Sequence, residues 1–140
     1  MAKTKLKWYS KEERLFEEEY YRSMAEQYAR EYWGVELTCP IEFVNRDWRS
    51  IRGSFRINYE TDECRIVMSH KVNQRMGTGP TLETLKHELV HWYLWSIGEP
   101  FDDDDPRFIS ECLRIGASIS GTKKAQTAYK KFCAEMEAGD

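Results

Sequence analysis

The sequence contains no C-x-x-C pair, no apolar run approaching the roughly 20 residues a membrane helix needs, and no surplus of positive charge. Each absence removes a class of protein. Cys39, Cys64, Cys112 and Cys133 are widely spaced, so no cysteine zinc site is encoded. They are expected as free, mostly buried thiols in a reducing compartment. A formal net charge of -3 argues against binding nucleic acid through bulk charge alone. The basic opening, Met1 to Lys7, leads into no apolar signal core, so a cytoplasmic chain with no membrane partner is expected. No internal repeat or low-complexity linker interrupts it. With 140 residues, 41% of them hydrophobic, the chain is expected to form one domain, residues 1–140, and a monomer.

Histidine is scarce too, at three residues, yet two of them fall in His87-Glu88-Leu89-Val90-His91. Such a pattern arises in roughly a few of every thousand random chains of this length, so it outweighs an accidental match. On a helix, histidines four apart share a face one turn apart, and both imidazoles can reach one metal ion. The intervening glutamate is rotated by about 100° from the first histidine, near enough to hold a water at the metal without ligating. Two nitrogen ligands and a general base are the working half of a zinc hydrolase.

The surrounding chain reads as helix, strands, then three helices, an α+β arrangement. Ser10-Lys11-Glu12-Glu13 is a capping box, and Leu15, Phe16, Tyr20, Met24, Tyr28 and Tyr32 continue it as an amphipathic helix that Gly34 ends. Ile41-Glu42-Phe43-Val44 reads as a short strand. Ile51, Gly53, Phe55, Ile57 and Tyr59 then alternate with polar residues, and a turn at Glu60–Glu63 leads into Arg65-Ile66-Val67-Met68 as the second arm of an antiparallel hairpin. His70 ends that strand and is assigned a structural role. After Gly77-Thr78-Gly79-Pro80, Thr81 caps the motif helix, which runs to Gly98 with Leu82, Leu85, Leu89 and Trp92 as its buried stripe. Trp92, Tyr93 and Trp95 are read as core at helical spacing. Asp105-Pro106 starts a further helix with Phe108, Cys112 and Ile115 inward and Gly116 as its terminator. A last helix, Thr122 to Ala138, carries Ala125, Tyr129, Phe132 and Met136 on its apolar face.

Charge is unevenly distributed along the chain. Residues 11–36 hold eight acids against four bases, and residues 99–111 hold six acids against one base. A catalytic zinc takes three protein ligands and keeps one position open. No third histidine follows the motif, but Asp102-Asp103-Asp104-Asp105 begins 11 residues past His91, and Gly98-Glu99-Pro100 can turn this acidic loop back over the helix. Glu111, 20 residues past His91, is the rival carboxylate.

In their order and spacing these features resemble the SprT-like zinc metallopeptidase domains, related to the protease domain of Spartan. The resemblance covers about residues 30–117. It begins with Tyr32-Trp33-Gly34, Ile41-Glu42-Phe43 and Arg49 to Phe55. It continues through Ile66-Val67-Met68-Ser69, Leu85 to His91, and Asp104-Asp105-Pro106-Arg107-Phe108. It does not extend to the C-terminal zinc ribbon that many relatives carry, nor to Spartan's long regulatory tail. The resemblance implies a minimal zincin-like fold: a long N-terminal helix, a small antiparallel sheet of about three strands, the active-site helix and two C-terminal helices. It implies a Zn2+ peptidase in which His87 and His91 ligate the metal and Glu88 is the general base. Relatives carry a third histidine whose position here is Asp104, with Asp103 equivalent if the loop differs by one residue. The substrate implied is a protein or peptide, which an edge strand of the hairpin can bind in extended form. Tyr93 and Arg107 are the oxyanion candidates by sequence proximity, with packing roles favoured for both. Spartan-type relatives also act at DNA, so a weak DNA association through Arg52 and Arg56 is the other partner. A catalytically weak DNA-associated or protein-binding adaptor is the alternative function. An adaptor has no need of Glu88, and this chain keeps it.

Overall fold

Ser10 starts the first helix as its sequence requires: its hydroxyl accepts from the Glu13 amide at 3.2 Å, and the Glu13 carboxylate accepts from the Ser10 amide at 3.1 Å. In this computed structural model, residues 7–139 are described; the basic opening Met1–Leu6 lies outside them. Helix α1, Lys11–Trp33, ends at Gly34, whose left-handed φ of 65° lets its amide cap the last carbonyls of the helix. The buried face of α1 is Tyr21, Ala25, Tyr28 and Ala29. The apolar stripe expected in its first turns is largely uncovered, with Phe16 76% and Leu15 56% exposed.

Strands β1 (Ile41–Val44), β2 (Gly53–Asn58) and β3 (Glu63–Ser69) form one sheet in the order β1-β3-β2. The β2–β3 hairpin is antiparallel as expected, pairing Phe55 with Ile66 and Ile57 with Cys64. Its turn places Asp62 at φ 61°, a conformation aspartate tolerates better than most residues, while the Asn58 side chain accepts from the Glu60 amide. On the other side of β3, β1 pairs parallel, Ile41 with Ile66 and Val44 with Ser69. The sheet is therefore mixed and not wholly antiparallel. The cause is the crossover that carries the chain from β1 past β3 to β2, so that β1 and β3 run the same way. Being central, β3 buries Ile66, Val67, Met68 and Ser69.

Where the sequence suggested a strand end, His70–Met76 forms a short helix, α2. Ser69 does not cap it through its side chain, because the hydroxyl donates to the carbonyl of Arg46 and accepts from the Arg46 amide. His70 is buried with Glu17 and Glu18 of α1, its Nδ1 and Nε2 each 3.4 Å from a carboxylate oxygen. That is the structural role expected of it.

Helix α3, Thr78–Ser96, begins a turn earlier than expected. Thr81 does not cap it; its hydroxyl instead donates to the Gly77 carbonyl at 2.7 Å. Pro106–Ile115 forms α4 and Lys123–Ala138 forms α5. Both begin where their capping residues lie, Asp105 and Thr122, although only Thr122 uses its side chain to cap. Gly116 closes α4 at φ 74°, again the left-handed conformation that glycine adopts without strain.

The described residues thus form five helices and a small mixed sheet, an α+β architecture. It divides into two compact units, one ending at Leu82 and the other starting at Glu83. The first holds α1, the sheet and α2, with the start of α3. In the second, Leu85, Leu89, Val90, Trp92 and Leu94 of α3 are buried, as are Phe108, Ile109, Cys112 and Ile115 of α4 and Ala125 of α5. Among the described residues, no helix is long and apolar enough to cross a membrane.

Candidate metal centre

All residues of the centre belong to the second unit, beginning with α3. The four-residue spacing puts His87 and His91 one turn apart, their ring centroids 4.9 Å from each other. Each ring is oriented by a backbone carbonyl. Nδ1 of His87 lies 2.6 Å from the carbonyl oxygen of Ser118, and Nδ1 of His91 is hydrogen-bonded to the carbonyl oxygen of Phe101. A carbonyl only accepts, so each Nδ1 carries the proton and donates it. In a neutral ring the lone pair is then on Nε2.

Both Nε2 atoms lie 2.9 Å from one oxygen, Oδ1 of Asp103. The carboxylate is also an acceptor. Two nitrogen lone pairs and a carboxylate oxygen thus converge on one point, which demands either a second proton on each ring or a cation held by all three. The charges and hydrogen bonds around His87 favour the first alternative when no cation is held. Its burial favours the neutral ring, but the hydrogen bond to Asp103, the Cys112 thiol and the charge of Glu88 reverse this and raise its pKa well above 6.5. For Asp103, burial acts to raise the pKa and the two histidines outweigh it, holding the carboxyl well below the usual carboxylate range.

Glu88, between the histidines in sequence, is buried, with Oε1 4.0 Å from Nε2 of His87. One ligand atom from each of His87, Glu88 and His91 lies within 4.8 Å of the others, close enough to hold a metal ion. The second oxygen of Glu88, Oε2, is buried with no hydrogen-bond partner. An ionised carboxylate rarely leaves an oxygen buried without a donor. Burial accordingly pushes the Glu88 pKa up, against the opposing pull of the two histidines. An unmet acceptor beside two metal-ready imidazoles fits a site built to hold a cation and a water.

The acidic loop resolves residue by residue. Asp103 reaches the histidines. Asp104 does not; its Oδ2 is 3.3 Å from Nζ of Lys124. Asp105 accepts from the Asp102 amide at 2.8 Å and so folds the loop on itself. Glu111 is buried and paired with Arg107, at 2.7 Å, and with Arg114. That pairing also engages Arg107, one of the two oxyanion candidates.

Phe108 walls the centre from α4. It stacks on His91, with centroids 4.1 Å apart, and meets His87 edge-on at 5.0 Å. The histidine side chains are only 10% and 12% exposed, whereas Asp103 is 42% exposed, so the centre opens to solvent on the loop side. The carbonyls of Phe101 and Ser118 have no signature in the sequence, because any residue type supplies one. Phe108 was legible as core but not as a wall of the site.

The chain is similar to SprT-like proteins. It is 26% identical over 96 residues to proteins named "Protein SprT-like" from two strains of Staphylococcus epidermidis, a match that takes in 69% of this chain. The chain spans about 60% of the length of these curated relatives. No family profile matches it. No solved structure matches it.

Proposed function

We propose that the chain is a zinc-dependent metallopeptidase of the SprT-like kind, with 1–140 as its single domain, acting on protein or peptide substrates. The observation that carries this reading is the convergence of two Nε2 atoms, each ring held by its Nδ1 donor bond, on one oxygen of Asp103. We assign the ligands as His87, His91 and Asp103. Asp104, the position the resemblance favours, is engaged with Lys124. Two imidazoles and a carboxylate are a donor set suited to zinc, leaving one position for water or substrate. When bound, such a metal supplies Lewis acidity that brings the pKa of water toward neutrality and polarises a carbonyl.

The chain's own residues do the remaining work. Glu88 takes a proton from water onto its carboxylate and passes it to the leaving amine, acting as base and then acid. Its raised pKa suits that exchange, because a proton accepted at Oε2 must also be released near neutral pH. The Ser118 and Phe101 carbonyls keep both imidazoles facing inward, and Phe108 excludes water from one flank. The four free cysteines accord with a cytoplasmic setting.

Glu88→Gln tests the proposal. The amide keeps the shape but cannot accept the proton, so zinc content stays at the parent's level while cleavage of a casein-type substrate falls by about 100-fold or more. Parent-level cleavage by that variant overturns the mechanism.

A further inference from the structure

The first unit contains a pair of thiols that the metal chemistry does not use. In the parallel ladder Ile41 pairs with Ile66, and the Ile66 amide donates to the Pro40 carbonyl at 2.9 Å as part of that pairing. Carried two residues back beyond the ladder, the same register brings Cys39 alongside Cys64 of β3. The even offset puts both on the same face. Neighbouring strands are about 4.8 Å apart, which falls within the Cα separation of about 4.4–6.8 Å that a disulfide spans. The two side chains are close enough for each to affect the other's ionisation, and the Cys39 sulfur reaches the Pro40 carbonyl at 3.7 Å. Cys39 is in a bend just ahead of β1, outside the regular ladder, where the backbone can adjust to the closer approach a bond requires.

The two sulfurs differ in access. Cys39 is 3% exposed, whereas Cys64 is half-buried. We infer that Cys39 and Cys64 are an oxidation site, a dithiol that closes to a disulfide joining the entry of β1 to β3 when a small disulfide such as oxidised glutathione is present. The order of events follows from exposure. The Cys64 thiolate, the more accessible of the two, attacks a sulfur of the glutathione disulfide; that S–S bond breaks and one glutathione thiolate leaves. The Cys39 thiolate then attacks Cys64 Sγ, the mixed disulfide breaks, and the second glutathione leaves. Two protein thiols are oxidised, one external disulfide is reduced, and the two thiol protons end on the two glutathiones. Burial raises the pKa of both thiols and keeps the thiolate fraction small at neutral pH, so the pair closes slowly.

The test is incubation of the whole folded protein with oxidised glutathione at mildly alkaline pH, followed by intact mass and non-reduced peptide mapping. The parent loses about 2 Da, from two thiol hydrogens, and yields one crosslinked peptide pair, Cys39 with Cys64. Its melting temperature rises by a few degrees and returns on reduction. Cys39→Ser, lacking the resolving thiol, stops with glutathione attached to Cys64, while Cys64→Ser leaves Cys39 reduced. A parent that halts at the mixed disulfide, stays fully reduced, or crosslinks either cysteine to Cys112 or Cys133 overturns the inference. Because the parent alone gives a decisive mass and map, a poorly folding variant does not blunt the test.

Discussion

The proposed metal chemistry of the centre turns on Asp103. Asp103→Ala removes the oxygen that both imidazoles share, so zinc affinity is expected to fall by about 10- to 100-fold or more, while Asp104→Ala and Glu111→Ala keep stoichiometric zinc. Elemental analysis of the three variants separates them, and full zinc in Asp103→Ala would remove this aspartate from the ligand set. The pH dependence follows from His87. Its pKa is raised, so it holds its second proton to a higher pH than an ordinary imidazole, and a metal must displace that proton. Apparent zinc affinity therefore climbs with pH through and beyond the ordinary value of 6.5 and levels off only above the raised pKa. A titration that plateaus below pH 6.5 contradicts the Asp103–His87 bond. At this scale the sequence showed the histidines and Glu88, because side chains at helical spacing determine their own geometry. It could not choose among four consecutive aspartates, since the choice depends on how the loop folds through the Asp102–Asp105 bond and the Lys124 contact.

At the scale of the elements, α4 supports the centre in two ways that separate on mutation. Phe108 is fully buried and stacks on His91, so Phe108→Ala opens a cavity and is expected to cost about 3–5 kcal/mol, measurable by urea unfolding. Phe108→Leu retains most of the volume and costs less. Glu111 is buried between two arginines whose side chains are 37% and 51% exposed, so its pairing is partly screened. Glu111→Ala is expected to cost about 1–3 kcal/mol without loss of metal. Several helix ends were legible because caps are local codes: Ser10 with Glu13, Asp105-Pro106, and Gly34 and Gly116 as terminators. The start of α3 and the short helix α2 were not, and neither were two further features. The parallel pairing of β1 is fixed by which edge of β3 is free, and the strand's own residues do not encode that. In α1 the periodicity of Leu15, Phe16 and Tyr20 marks an apolar face, but tertiary structure covers only the later turns, where Tyr21, Ala25 and Tyr28 are buried. Met136 at the far end of α5 is uncovered in the same way, 60% exposed.

For the molecule as a whole, the centre links metal binding to folding. Its proposed ligands come from α3 and from the loop before α4, and its ring orienters are at Phe101 and Ser118, so the candidate metal site exists only when these segments are assembled. An unfolded chain offers the same groups without their convergence, and a cation that binds the folded form alone must stabilise it. At free zinc about 100 times the dissociation constant the gain is about 2.7 kcal/mol. Chelated parent protein is therefore expected to melt several degrees below the zinc-loaded form, and zinc added back restores the difference. Glu88→Gln should show the same zinc-dependent rise, because Glu88 is assigned to the proton and not to the metal. Asp103→Ala should show little of it. Calorimetric scans of the three proteins with and without zinc separate ligand from base without any measurement of cleavage. A zinc-independent melting temperature in the parent would mean that the two imidazoles and Asp103 form a closed polar cluster with no place for a cation.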